Sequence, residues 1–371
     1  MLAAGLVLVS VGCRTERPAD APLTEVTLST PGAYVVSTGA VDRSASPSPP
    51  AAAVPAAAAQ PRQPTDASAA AVTPSAVSPA RLPTNGWIAL AKWSASAGLG
   101  QPHRIAMETY AVATPRGKAV FQPGSQCVRW EGVNVWLGFA PRYLEGQPHL
   151  HALDVQRTLG PLVGGPRPLA PRSRVVVLDP GHGGADGGTQ GARDQLEKNF
   201  ALDWALRTAA LLRQKGWEVH LTRTNDLDLT LPERIVAADR LCASLFVSLH
   251  FNGLAADARH SGIETFCTTP VGLPSSVKRN GEDLLAVEHP NNRFDAENLR
   301  LAYRIHRELL SATQALDGGV RRARFISVIR AQGRPAVLVE GGFLSNPAEA
   351  RRVATPAYRQ KLAEALARAI E

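Results

Sequence analysis

The chain has 371 residues, of which 44% are hydrophobic, and it carries a formal net charge of +8. This length suits two domains, and the hydrophobic fraction is typical of a globular protein. The positive charge suits an acidic polymer as partner, but no block of Lys and Arg is interleaved with aromatic residues. The composition therefore argues against nucleic acid as the ligand.

The first 13 residues, MLAAGLVLVSVGC, form an apolar segment that ends at Cys13. The segment is shorter than the roughly 20 residues of a membrane-spanning helix, and its pattern is that of a secretory signal. Residues 1–13 are therefore predicted to direct export to the periplasm or cell envelope. Because the segment ends like a lipoprotein processing site, acylation and membrane anchoring at Cys13 are one alternative. An ordinary signal peptide with an incidental cysteine is the other.

Residues 47–83 are rich in proline and alanine. Nine of these 37 positions are proline and thirteen are alanine, with almost no charge. Such a segment buries too little apolar surface to fold, so it is predicted to be a disordered linker that spans on the order of 100 Å. Residues 14–46, which precede it, have no clear pattern and are left unassigned, as a flexible segment.

Residues 84–161 are predicted to form a small α+β module of unknown role. The stretch TNGWIALAKWSASAG has the pattern of a helix that Thr84 or Asn85 caps and Gly98 ends. Short β-rich runs separated by Gly, Pro and Asn follow it. Because these runs contain no cluster of His, Asp or Glu with obvious chemistry, a binding or spacer role is the default expectation.

Residues 174–371 alternate between strands and helices. The apolar runs RVVVLD, SLFVSLH and AVLVEGG are typical of parallel strands that are buried on both faces. Long amphipathic segments lie between them, one closed by Gly216 and another opened by a capping box of Thr230 and Glu233. The alternation predicts an α/β fold whose mostly parallel sheet has helices on both faces.

The predicted strands deliver chemically active side chains to one edge of this sheet. His182 follows the first strand, while His250 and Glu340 end two others, and ligands bind at the carboxyl ends of such strands. Glu197 opens the helix after the His182 loop, which places it near the same edge.

Two histidines and one glutamate with an open fourth position form the ligand set of a catalytic zinc ion, which lowers the pKa of a bound water to about 7. The second glutamate can then act as general base and general acid. The spacing alone leaves open which glutamate has which role.

Several motifs in residues 174–371 resemble the zinc-dependent N-acetylmuramoyl-L-alanine amidases of the amidase-3 family. In chain order they are LDPGHGGADGGTQGA, EKNFAL, SLHFN, SGIETF and AVLVEGGFLSNPAE. The resemblance implies an amidase-3-like catalytic domain in which His182, Glu197 and His250 bind Zn²⁺ and Glu340 is the catalytic carboxylate. It also implies hydrolysis of the amide bond between N-acetylmuramic acid and L-alanine of peptidoglycan stem peptides, in cell-wall remodelling or cell separation.

Other features of the site stay open. Peptidoglycan is the implied partner, the involvement of an activator protein is undecided, and the chain is expected to be a monomer. Arg330 and Asn252 are candidates for substrate binding. Arg330 is a candidate because Arg recognises carboxylates with two hydrogen bonds, and a surface salt bridge is the alternative for it. Residues 270–295 are expected to form the rim of the substrate site, and a plug over the zinc is the alternative.

Two other functions compete with the amidase. One is a zinc carboxypeptidase-type peptidase that cuts inside the stem peptide, and the other is a non-catalytic wall-binding protein. Among further residues, Asp179 is expected either to orient His182 or only to start a turn. His306 is expected on the solvated surface, and Cys242 and Cys267 are expected to be buried free thiols.

Overall fold

The computed structural model describes residues 86–164, 173–191, 195–253, 258–278 and 283–371. The predicted export segment with Cys13, the unassigned residues 14–46 and the linker at 47–83 lie outside these ranges. Within the described ranges, no helix combines the length and the apolar character that crossing a membrane requires.

The N-terminal region, residues 86–164, contains eight short strands and a few helical turns. In chain order these are β1 (Trp87–Ala89), α1 (Leu90–Ser96), β2 (His103–Ala106), β3 (Thr109–Thr114), β4 (Gly117–Phe121), β5 (Cys127–Trp130), β6 (Val133–Trp136), β7 (Arg142–Leu144), β8 (Gln147–His151), α2 (Ala152–Asp154), a π-helical turn (Val155–Leu159) and α3 (Gly160–Val163). Strands β2 to β6 form an antiparallel meander, and β1, β8 and β7 form a separate small sheet.

The C-terminal region, residues 173–371, alternates strands and helices as expected. Its elements are β9 (Val175–Pro180), α4 (Glu197–Gln214), β10 (Glu218–Leu221), α5 (Leu231–Arg240), β11 (Leu245–Asn252), β12 (Ile263–Cys267), a 3₁₀ turn (Pro290–Phe294), α6 (Asp295–Thr313), β13 (Asp317–Arg322), α7 (Ser327–Arg330), β14 (Ala336–Phe343), α8 (Pro347–Val353) and α9 (Pro356–Ile370). The predicted capping box of α5 is present, since Thr230 and Glu233 bond each other's backbone.

Strands of both regions form one eleven-stranded sheet in the order β10-β9-β11-β14-β12-β13-β6-β5-β4-β3-β2. The pairs β10–β9, β9–β11, β11–β14 and β12–β13 are parallel, and β12 runs antiparallel to β14. The prediction of a mostly parallel sheet for the C-terminal region is therefore confirmed.

Helices cover both faces of this sheet because successive strand residues point to opposite sides. Val176 and Leu178 of β9 belong to the apolar cluster that includes residues of α4, α6 and α9, whereas Val177 belongs to a second cluster with residues of α5 and α7. This two-sided burial explains why β9, β11 and β14 are continuous apolar runs in the sequence.

The two regions meet where β6 pairs with β13. The backbone N–H of Asn134 donates to Asp317 Oδ2 at 2.8 Å, and the indole of Trp136 donates to the Gly318 carbonyl at 3.3 Å. Apolar residues of both regions also belong to one core cluster. The N-terminal region therefore extends the sheet and core of the C-terminal region.

Three local predictions are wrong. Trp87–Ala89 is a strand rather than the start of a helix, because it pairs with β8 some sixty residues later in the chain. His306 is 0% exposed and bonds Thr265 and Asp317, so it is a core residue. Cys242 is exposed, whereas Cys267 is buried as expected.

Candidate metal centre

The turn after β9 places His182 at the carboxyl edge of the sheet. Its backbone has a φ of 60°, in the left-handed region that non-glycine residues seldom adopt. The Nδ1–H of the ring donates to Asp186 Oδ2 at 2.8 Å, so that Nε2 faces Glu197. Asp186 therefore orients the ring. Of the two alternatives for Asp179, the one in which it orients His182 is wrong, because Asp179 bonds Thr222, Arg234 and Ser248.

His250 lies near the end of β11, beside the same turn. Its ring packs against Gly181 so closely that a Cβ added at Gly181 would lie 2.2 Å from His250 Cε1. Glycine is therefore required before His182. The Nδ1 atom of His250 lies 2.8 Å from Glu197 Oε1.

Glu197 is the first residue of α4, and its carboxylate lies between the two imidazoles. Oε1 is 3.2 Å from His182 Nε2 and accepts the Phe251 N–H at 3.0 Å. Oε2 accepts the Thr189 N–H at 2.8 Å. These backbone donors hold a buried negative charge in one orientation.

Glu340 lies in β14, between β11 and β12, in register with His250 on one side and Glu264 on the other. It is 3% exposed, and its Oε2 is buried without a hydrogen-bond partner among the described residues. Burying a carboxyl oxygen without a hydrogen-bond partner costs folding free energy, and such a group in a folded protein calls for a functional explanation.

The electrostatics divide the site into two sides. Burial alone lowers the pKa of His182, but Glu197 and Asp186 outweigh it and raise the pKa to about 10. Burial acts to raise the pKa of Glu197, yet the two histidines hold it well below its usual range. Burial raises the pKa of Glu340 well above its usual range, and the charges of Glu197 and Glu264 add to this. In the metal-free protein Glu197 therefore stays ionised between the two histidines, whereas Glu340 binds its proton more tightly than an ordinary glutamate does.

His182, Glu197 and His250 can together hold a metal ion, since one ligand atom from each lies within 4.8 Å of the others. His182 Nε2 is a buried nitrogen without an aligned hydrogen bond, although Glu197 Oε1 is near. Two imidazole nitrogens and one carboxylate oxygen fit a divalent metal of the zinc type with an open position. The three predicted ligands are therefore brought together, with Glu340 beside them.

Comparison with known proteins identifies the family of the chain. The family model described as N-acetylmuramoyl-L-alanine amidase, amidase-3, matches residues 176–371. The chain belongs to this family. It is 31% identical to the N-acetylmuramoyl-L-alanine amidase AmiA of Salmonella typhimurium, over 63% of this chain and 88% of that protein. It is 30% identical to AmiC of an Escherichia coli strain, over 57% of this chain and 56% of that protein.

A structural comparison finds AmiC2 of Nostoc punctiforme, an N-acetylmuramoyl-L-alanine amidase, with 31% sequence identity. The match covers 53% of this chain and 94% of that one, with a TM-score of 0.44.

The amidase-3 domain has a second polar cluster beside Glu340, which sequence reasoning missed. Glu264 is 5% exposed, forms an ion pair of 2.6 Å with Arg321, and accepts from Asn252 Nδ2 at 3.0 Å. Arg321 also stacks on Trp136 of the N-terminal region, 4.4 Å from the ring centre. The available signal was the acid between the apolar residues Ile263 and Phe266 of the strand GIETF.

The two substrate-binding candidates occupy different places in the amidase-3 domain. Asn252 is 2% exposed at the end of β11, next to the site, and its amide nitrogen bonds Glu264. Arg330 ends α7 and donates to the Arg324 carbonyl at 3.2 Å. Their roles in substrate binding stay predictions.

Within residues 270–278 and 283–295, no hydrogen bond or ion pair reaches the metal cluster. Asp283 bonds Ser275 and pairs with Arg324 instead, and Asn292 bonds the Thr269 carbonyl. The rim and plug alternatives for this segment stay predictions.

Proposed function

We propose that this chain is a zinc-dependent N-acetylmuramoyl-L-alanine amidase. It hydrolyses the amide bond between the lactyl group of N-acetylmuramic acid and L-alanine of peptidoglycan stem peptides. The observation that carries the proposal is the cluster of His182, Glu197 and His250, with buried Glu340 beside it, inside a domain of the amidase-3 family. Peptidoglycan is thus the proposed partner.

In this proposal His182, Glu197 and His250 bind the zinc ion. Bound zinc would polarise the amide carbonyl and make a water molecule acidic near neutral pH. Hydrogen bonds hold two of the proposed ligands in place before the metal binds. Asp186 fixes the ring of His182, and the N–H groups of Thr189 and Phe251 fix the carboxylate of Glu197. Such fixed partners raise metal affinity because little ordering remains to be done on binding.

Glu340 moves the proton. Its Oε2 has no partner among the described residues, and burial with the nearby charges of Glu197 and Glu264 raises its pKa. A carboxyl group with a raised pKa can accept a proton from the attacking water and later donate it to the amine of L-alanine. Asn252 and Arg330 are proposed substrate contacts.

We propose that the protein acts in the periplasm or cell envelope, because its proposed substrate is cell-wall peptidoglycan. The signal-like pattern of residues 1–13 supports export, and Cys13 is a proposed site of lipid attachment.

Digestion of purified sacculi tests this function. The purified chain should release intact stem peptides and leave unsubstituted muramic acid, as read by mass spectrometry. A zinc chelator should abolish the release, and added zinc should restore it. The Glu340→Gln variant should bind zinc normally but release no peptide. Cleavage inside the stem peptide would instead identify a peptidase, and full activity of Glu340→Gln would contradict the mechanism.

A further inference from the structure

The turn that carries His182 is held by two buried guanidinium groups. Arg223 donates from Nε to the Pro180 carbonyl at 3.1 Å and from Nη2 to the Gly181 carbonyl at 2.7 Å. Arg234 donates from Nη1 to the Pro180 carbonyl at 2.9 Å and from Nη2 to the His182 carbonyl at 2.8 Å. The two arginines are 3% and 5% exposed. Three consecutive carbonyls thus accept from two side chains.

Arg223 also connects the turn to the helix that carries Glu197. The same Nη2 atom that bonds Gly181 donates to the Lys198 carbonyl at 2.8 Å, in the first turn of α4. One planar group therefore bonds the backbone next to His182 and the backbone next to Glu197. Every hydrogen bond that the structure gives to Arg223 goes to a backbone carbonyl.

The turn needs such support because His182 has a φ of 60°. A non-glycine residue stays in this strained conformation only where its surroundings determine it. The carbonyls of residues 180–182 lie where β9 ends, and buried carbonyls require donors. Asp179 neutralises Arg234 through a 2.7 Å ion pair, so that this charge can be buried here.

We propose that Arg223 and Arg234 are positioning residues for the metal centre. They fix the backbone of the turn so that His182 Nε2 meets Glu197 and His250, while Asp186 fixes only the ring. This inference rests on the proposed zinc function. Lysine cannot replace them, because its single ammonium group lacks the rigid fork of a guanidinium that bonds several carbonyls at once.

The chain offers a matched control for this proposal in Arg324. Arg324 is 6% exposed, pairs with Asp283, and donates from Nη2 to two carbonyls, those of Pro270 and Leu273, at 3.1 and 2.9 Å. None of these groups belongs to the metal centre. Substitution of Arg324 therefore reports the general effect of losing a buried guanidinium fork.

The test measures the zinc dissociation constants of the full chain and of its Arg223→Lys, Arg234→Lys and Arg324→Lys variants by competition with a chromogenic chelator. We expect Arg223→Lys and Arg234→Lys to raise the constant by at least ~10-fold, as loss of outer-shell support does, and Arg324→Lys to change it less than ~2-fold. The absorption spectrum of the Co²⁺-loaded protein should shift in the first two variants only. At saturating zinc, kcat should fall while KM changes little.

Zinc affinity within twofold of the parent in both site variants would overturn the proposal, as would an equal loss in Arg324→Lys. If Arg223→Lys does not fold, the zinc dissociation constant of Arg234→Lys tests the proposal, because this variant keeps a cation beside Asp179. Failure of the parent chain to bind zinc would instead overturn the proposed function, and this inference with it.

Discussion

The two halves of the large sheet differ in what their strands bury. Residues 103–136, which include β2 to β6, have no buried polar or charged side chain, whereas β9, β11, β12 and β14 bury several. These are Asp179, Ser248, Asn252, Glu264, Thr265 and Glu340. The antiparallel half buries only apolar side chains, whereas the parallel half also buries the polar and charged side chains that a reaction site needs.

The connections between strands explain this difference. Antiparallel neighbours can be joined by tight turns, such as Glu131 and Gly132 between β5 and β6, which both have positive φ. Their strand ends therefore alternate between the two edges. Parallel neighbours leave the sheet at one edge, so β9 and β11 place His182 and His250 side by side. A reaction site requires that convergence, and the comparison can be tested at matched pairs of residues.

The largest expected effect comes from removing one buried histidine in each region, His182 after β9 in the C-terminal region and His149 in β8 of the small N-terminal sheet. His182 and His149 are both 8% exposed, but only His182 belongs to the metal cluster. His182→Ala should lose zinc binding and lower kcat/KM by on the order of 10⁴-fold, since several kcal/mol of transition-state stabilisation depend on the metal. His149→Ala should keep its zinc, as measured by metal analysis and muropeptide release. Equal losses in both variants would remove the distinction between the two regions.

A second pair of residues, one in each region, tests whether the two regions share one hydrophobic core. Trp130 in β5 and Trp204 in α4 are both 0% exposed and belong to the same apolar cluster. Each change to alanine should lower the free energy of unfolding by about 3–5 kcal/mol. Because the core is continuous, each should also lower the midpoint of one common urea transition, followed by circular dichroism. Two separate transitions, each sensitive to one variant, would show that the halves unfold independently.

Sequence patterns predicted the parallel half well for a physical reason. Strands buried on both faces are apolar for most of their length. His182 follows β9, His250 and Glu340 lie in the second halves of β11 and β14, and Glu197 begins α4. Their convergence therefore follows from local patterns plus the rule for parallel sheets.

Features that depend on distant partners were missed. β13 has the sequence DGGVRR, which lacks strand character, yet its glycines allow close approach. A Cβ on Gly318 would lie 2.5 Å from Glu264 Cγ, and one on Gly319 would lie 2.7 Å from Trp136 Nε1. Neither contact can be inferred from neighbours in the chain, so the sequence did not predict β13. The ion pair between Glu264 and Arg321, which lies in β13, was missed for the same reason.

A third comparison uses glycines with positive φ in the two regions. Gly188 has a φ of 70°, and a Cβ there would lie 2.7 Å from both Glu197 Oε2 and His182 Cδ2. Gly132 has a φ of 90° with nothing within 4 Å of such a Cβ. Both alanine variants should lose about 1 kcal/mol of stability from the left-handed backbone. Only Gly188→Ala should also weaken zinc binding, by at least ~10-fold, as read by chelator competition. Unchanged zinc affinity in Gly188→Ala would mean that the site tolerates displacement of its ligands.

The smallest expected effect concerns one buried carboxyl group in each region, Glu340 and Asp154. Burial raises the pKa of both. Asp154 accepts from the Gly138 and Phe139 N–H groups and from Thr158, whereas Glu340 Oε2 has no partner among the described residues. In the metal-free protein Glu340 faces the negative charges of Glu197 and Glu264 and the positive charge of His182. The uncharged amide in Glu340→Gln should therefore raise the free energy of unfolding of the metal-free protein, and the amide in Asp154→Asn should lower it.

The effect at Glu340 should depend on pH with a definite sign. A raised pKa means that the folded state holds the proton more tightly than the unfolded state, whose glutamate titrates near 4.3. Wild-type stability contributed by this group is present below that pH and is lost as pH rises through the folded-state pKa. In chelator, Glu340→Gln should therefore gain on the order of 1 kcal/mol over wild type at pH 8, and less at pH 5, in urea unfolding. Asp154→Asn should be less stable than wild type at both values. A gain for Glu340→Gln that is larger at pH 5 than at pH 8 would contradict the raised pKa of Glu340, because the carboxylate would then be the form that the folded site stabilises.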